Sequence, residues 1–265
     1  MKKVFSRVVL VAAIFAVFVT LSCATTGTGS GGGSRPIGII SAMNSELQFL
    51  IDNTRVTRTD EIGGMLFYSG VLNNKDVVLV RGGIGKSLSA AYTAILIHEY
   101  NIDKLIFTGI AGGVGDDVDV LDVVIATELV THDYGTQTND GFVWRPGPER
   151  IESVVVDPAL SDLAYNTAVS LLGASRVHKG LIATGDQFIA SETYVAWLQE
   201  QFGALACEME GVSVALIAQK FDIPTIIVRC MSDKADGYAH TEIENFGQQA
   251  ADISGQIVLR LLERL

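Results

Sequence analysis

The stretch "IIVRCMSDKADG", Ile226 to Gly237, decides how this chain is read. It opens with the β-branched, apolar residues of a buried strand. It then runs straight into Arg229, Ser232, Asp233, Lys234 and Asp236. Charge is costly to bury without a partner or a purpose. A core strand that leads into such a cluster therefore points to a site.

Outward from that stretch, the same pattern recurs. Ile37–Ile40, Asp76–Val80, Lys104–Thr108, Asp122–Thr127, Gly180–Thr184, Ala204–Met209 and Thr225–Cys230 read as strands. Most lack strict alternation, as strands covered on both faces do. Ser87–Tyr100, Pro158–Leu172, Ser191–Phe202, Gly211–Phe221 and Thr241–Leu265 carry helical spacing of apolar residues. The alternation predicts a single α/β domain with a central mixed, largely parallel sheet flanked by helices. Ligands in such sheets sit beyond the carboxyl ends of strands. Six strands here lead into glycines and ionisable groups: "SAMNSE", "RGGIGKS", "GIAGGVG", "GDQFIA", "CEME" and "RCMSDKAD". One shared cleft explains that recurrence better than six separate solvated loops.

The first 34 residues have a different character. Lys2, Lys3 and Arg7 precede the apolar run Val8–Leu21, the pattern of a signal peptide over residues 1–22. "VTLSCA" reads as a lipoprotein processing site with Cys23 as the lipidated residue, although Thr20 replaces the usual aliphatic residue. The remainder of residues 23–34 is a Gly/Ser/Thr-rich tether reaching on the order of 15–20 Å. The expectation is an exported lipoprotein, membrane-anchored on the periplasmic face, with the folded domain at 35–265. That part carries 16 basic and 30 acidic side chains, or −14, a poor match for nucleic acid or an anionic bilayer. Cys207 and Cys230 lie in apolar runs and read as free buried thiols. The four histidines are scattered, and neither a metal site nor a cofactor is expected.

The motifs are ambiguous one by one. "VRGGIGKS" is not a phosphate loop, because Val80 stands where its first glycine belongs. In "CEMEG", Glu210 suits either a helix start, where the dipole favours a carboxylate, or a pair of sugar hydroxyls. Asp233 suits a cap, a surface loop, or a proton donor held protonated by burial.

Taken in order, "IGIISAMNSELQFL", "GGIGKSLSAAYTAILI", "TGIAGGVGDDVDVLDVVIA", "HDYG", "GDQFIA" and "CEMEGVSVALIAQKFDIPTIIVRCMSDKAD" resemble the methylthioadenosine/S-adenosylhomocysteine nucleosidases of the nucleoside phosphorylase superfamily. The resemblance runs from about Pro36 to the C-terminus. It implies a nucleoside phosphorylase-like fold, a homodimer, and hydrolysis of adenine nucleosides. It implies that Asp233, with Ser232 beside it, protonates purine N7 and that Glu46 activates water near Arg229. Met209 and Glu210 then grip the ribose, Phe188 stacks on adenine, Ile189 reads its edge, and Met43 and Glu208 complete the substrate contacts. Two departures stand out. Ile110 replaces the family's serine after "TG", and the loop after "HD" is polar at Thr136, Gln137 and Asn139. A phosphorylase, a nucleoside-binding lipoprotein and a nucleosidase for another 6-aminopurine nucleoside remain the competing readings.

Overall fold

The computed structural model describes residues 35–145 and 153–265. The expected signal peptide, Cys23 and tether lie outside the described residues. In chain order the elements are β1 (Ile37–Ser41), α1 (Asn44–Asp52), β2 (Arg55–Ile62), β3 (Met65–Leu72), β4 (Lys75–Arg81), α2 (Lys86–Tyr100), β5 (Lys104–Gly113) and β6 (Val123–Thr131). β7 (Gly135–Thr138), β8 (Gly141–Trp144), β9 (Ser153–Val155), α3 (Pro158–Leu172), β10 (Val177–Thr184) and α4 (Glu192–Phe202) follow. The chain ends with β11 (Ala206–Glu208), α5 (Gly211–Lys220), β12 (Thr225–Asp233) and α6 (Ala239–Leu262).

The sheet is mixed, in the order β11-β10-β6-β12-β5-β1-β4-β3-β2, with β9 on β6. β12, β5, β1 and β4 are mutually parallel, as are β6, β10 and β11, and the groups meet antiparallel at β12–β6. β11 also pairs antiparallel with β5, so five strands close into a ring. That closure brings the ends of β5, β11 and β12 to one place.

Alternate residues of one strand serve opposite layers, which is why the apolar runs are unbroken. Ile226 and Val228 join Ile257 and Leu261 of α6 and Ala164 of α3. Ile227 joins Leu96 of α2 and Ala215 of α5. α3 spans the residues expected, with Asp157 accepting a hydrogen bond from Leu160 N at 2.9 Å and Pro158 at its start.

Three strands run well past their expected ends, β6 reaching Thr131 instead of Thr127. β5 continues through its glycines to Gly113, and β12, buried at every residue, continues past Cys230 to Asp233. Arg229, Ser232 and Asp233 are therefore inside the sheet, and Lys234 and Asp236 lie just beyond it, partly exposed. Arg229 pairs with Gly109 across the ladder, and a register shift between Met231 and Asp233 re-aims the strand's end. "SAMNSE" is not a loop either, since α1 begins at Asn44.

Candidate active site

A cavity of about 230 Å³ opens where these strand ends meet. Met43, Glu46, Phe188, Ile189, Glu208, Met209, Glu210, Ser232 and Asp233 all line it. Ala42, Ile84, Ile110, Ala111, Gly112, Gln187, Cys207 and Ile243 line it as well. Ile243 belongs to a helix stripe that reads as core, and Cys207 to an apolar run, so neither carries a signal in sequence. Arg229, expected among the substrate contacts, is not on the wall. It is wholly buried behind the carboxylates.

On one side Arg229 gathers three carboxylates. Its Nη2 donates to Glu208 Oε2 at 2.5 Å and to Glu210 Oε2 at 3.4 Å, and its Nη1 lies 3.9 Å from Glu46 Oε1. Glu46 is set by the start of its own helix and by β5: Oε2 accepts from Met43 N at 2.7 Å and Oε1 from Ile110 N at 2.8 Å. Gly109 leaves room for this meeting. A Cβ there would fall 2.2 Å from Glu46 Oε1 and 2.4 Å from Arg229 Nη1.

The two glutamates of "CEME" divide their work in a way the sequence does not show. Glu208 starts the helix, its Oε2 accepting from Glu210 N at 3.0 Å and Gly211 N at 2.7 Å, while Thr184 Oγ1 donates to Oε1. Both oxygens of Glu208 are engaged by protein donors, so this carboxylate holds the helix start while it lines the cavity. Glu210 makes no cap bond. Its Oε1 accepts instead from Gly85 N at 2.9 Å, which a glycine at φ 93° presents across the cleft.

On the other side Asp233 stands without a cation. Ser232 Oγ donates to its Oδ2 at 2.7 Å and Ala235 N to its Oδ1 at 2.8 Å. Phe188 projects toward solvent, its ring 4.7 Å from that of His240. The loop bearing Phe188 and Ile189 is tied to α2. Asp133 accepts from Lys86 Nζ at 2.5 Å and from Asp186 N at 2.7 Å, and Asp186 accepts from Lys86 N at 2.8 Å. His132, buried next to it, bonds Tyr194 through Nδ1 at 2.9 Å, and burial pushes its pKa down to about 4.

Burial raises the pKa of every carboxyl that faces the cavity in an acid–base position, but the neighbours differ. At Glu46 burial is opposed by Arg229 and by the N–H groups of Ile110, Met43 and Ala42. At Glu210 burial and then the charge of Glu208 raise it to about 8, against Arg229 and Gly85 N–H. At Asp233 burial is opposed only by the Ser232 and Ala235 hydrogen bonds, and Glu242 and Asp236 push it further up. Cys207 and Cys230 are free thiols, both raised by burial first. Among the described residues no His/Cys/Asp/Glu group has the makings of a metal site.

Fold and cavity together define a member of the phosphorylase superfamily, which residues 36–263 match. A 5′-methylthioadenosine/S-adenosylhomocysteine nucleosidase of Shewanella sediminis is 35% identical over 230 residues, covering 86% of this chain and 99% of that protein. The chain belongs to the methylthioadenosine/S-adenosylhomocysteine nucleosidase family. A solved mutant nucleosidase of Helicobacter pylori with 5′-methylthioadenosine in its active site superposes with TM-score 0.80 at 32% identity, covering 88% of this chain and all of that one. The futalosine hydrolase of Helicobacter pylori superposes with TM-score 0.79 at 31% identity, covering 87% of this chain and 98% of that one.

Proposed function

We propose that this protein hydrolyses the N-glycosidic bond of 5′-methylthioadenosine and S-adenosylhomocysteine, releasing adenine and the thioribose. The observation that carries this reading is a pair of buried carboxyls on one cavity with opposite surroundings: Glu46 facing an arginine, Asp233 facing none.

Asp233, kept protonated by burial, gives its proton to purine N7, and adenine leaves neutral as the C1′–N9 bond breaks. The sugar becomes oxocarbenium-like, and the carboxylates of the Arg229 cluster stabilise that charge. Glu46 takes the proton of the water whose oxygen bonds C1′. Glu210 accepts from the ribose hydroxyls, Met209 packs on the sugar, Phe188 stacks on adenine, and the Ile189 backbone reads its edge. Water is favoured over phosphate because every charged group on the cavity wall is acidic, and Arg229 is already engaged. No cofactor takes part.

Adenine release from 5′-methylthioadenosine and S-adenosylhomocysteine, with and without phosphate, tests this. Turnover without phosphate supports it. Binding without turnover contradicts it and leaves a nucleoside-binding protein. The likeness to a futalosine hydrolase favours a second reading, hydrolysis of a futalosine-type nucleoside, so such nucleosides belong in the same assay.

We propose further that the mature protein is exported and lipid-anchored through Cys23, which the mass of its N-terminus tests. A homodimer is proposed because Ile84 and Phe188, both on the cavity wall, are 54% and 42% exposed and a second copy would cover them. Sedimentation equilibrium measures that state.

A further inference from the structure

Arg229 has an environment that its two carboxylate contacts do not explain. Its Nη2 serves both Glu208 and Glu210, while Nε and Nη1 are buried with no hydrogen-bond acceptor in the protein. What faces the guanidinium instead is the ring of Phe107, with Arg229 Cζ 3.9 Å from its centroid. The ladder explains the meeting. β12 pairs Ile227 with Phe107 and Arg229 with Gly109, and positions two apart on a strand share a face. Gly109 leaves the gap into which the guanidinium and Glu46 fit, and Phe107, wholly buried, forms the floor.

An aromatic floor suits this position. A desolvated cation is held well by the negative face of a ring. The ring also offers no lone pair, so it does not draw N–H groups away from the carboxylates. An aliphatic floor fills the space without holding the charge, and a polar one competes for it.

We propose that Phe107 is a positioning residue for the reaction: its ring fixes the plane of Arg229, so that Nη2 holds Glu208 and Glu210 while Nη1 stays turned to Glu46. Through Arg229 it sets the sugar-side and water-side carboxylates together. The kinetic part of this proposal rests on the nucleosidase reading, and the structural part does not.

The test uses the full chain with residue 107 replaced site-specifically by mono-, di- and trifluorophenylalanine, which weaken the ring's negative face with little change of shape. Phe107→Leu and Phe107→Tyr run alongside. With 5′-methylthioadenosine, kcat is expected to fall stepwise with fluorine number and roughly ten- to thirty-fold in Phe107→Leu, with KM within about threefold. The acid limb of the pH–rate profile is expected to move to higher pH, because Arg229 holds the pKa of Glu46 down, and Phe107→Tyr is expected to restore most of the rate. A flat kcat across the fluorinated series, with Phe107→Leu losing only melting temperature, would overturn the proposal. A crystal structure of Phe107→Leu keeps the two readings apart. If wild type releases no adenine, the nucleosidase reading fails, and the place of Arg229 alone decides. A guanidinium turned away from Glu210 supports the positioning role, and one left in place refutes it.

Discussion

Two ends of one cavity hold buried carboxyls and treat them differently. Around Arg229, three carboxylates share one cation, an aromatic floor and several backbone donors. Asp233, at the end of the same strand, has two hydrogen bonds and only acidic groups pressing on its charge. Burial works in the same direction at both ends, so burial does not assign the roles. Neighbours do: Arg229 opposes the rise at Glu46, which suits a base, whereas at Asp233 the nearby charges are acidic and add to the rise, which suits an acid.

The largest effect expected is at the lone acid. Asp233→Asn removes the proton donor and should cut kcat by ~10²–10⁴-fold while 5′-methylthioadenosine still binds, as single-turnover adenine release and calorimetry would show. At the other end, Arg229→Met leaves the acidic cluster uncompensated. Breaking a buried ion pair from one side costs about 3–5 kcal/mol, so the melting temperature should drop by roughly 10 °C. Gly109→Ala tests the same cluster sterically. Its methyl displaces Glu46 and Arg229, and kcat should fall more than about tenfold; an unchanged rate would mean the gap is incidental.

Smaller effects concern protons. The folded pKa of Glu210, about 8, lies above its ordinary 4.5, so the folded state holds the extra proton. Stability of the ligand-free protein should therefore decline as pH rises between about 4.5 and 8. Glu210→Gln should flatten that slope in chemical denaturation. Finally, the Ser232 hydroxyl lowers the pKa of Asp233. The rate falls on the alkaline side as Asp233 loses its proton, so Ser232→Ala should carry that limb to higher pH; a shift to lower pH would break the comparison.

Much of this was legible in the chain. The apolar runs of β1, β4 and β12 and the spacing of α3 locate the layers because burial on both faces leaves a direct mark on composition. The β2–β3 hairpin left none: β2 is polar and mostly exposed, and its turn rests on Gly63 and Gly64 at positive φ. β5 and β12 outran their expected ends because glycines and charges ordinarily stop strands, whereas here Gly109 is the vacancy into which Arg229 and Glu46 fit. The resemblance placed Glu46, Glu210 and Asp233 at one cavity. It did not show that Glu208 also holds the start of a helix while Glu210 reaches across to Gly85 N, because two glutamates flanking one methionine look alike until the helix start is placed. Phe107 was hidden for a related reason, since a phenylalanine in an apolar run reads as core and nothing local marks the guanidinium above it.

The most direct test of the account is turnover of 5′-methylthioadenosine in ¹⁸O-labelled water with phosphate present, with the products weighed by mass spectrometry. The account predicts free adenine and a thioribose carrying one ¹⁸O, at a rate indifferent to phosphate. A sugar phosphate, or a rate that needs phosphate, would contradict it and make Glu46 something other than the base that activates water.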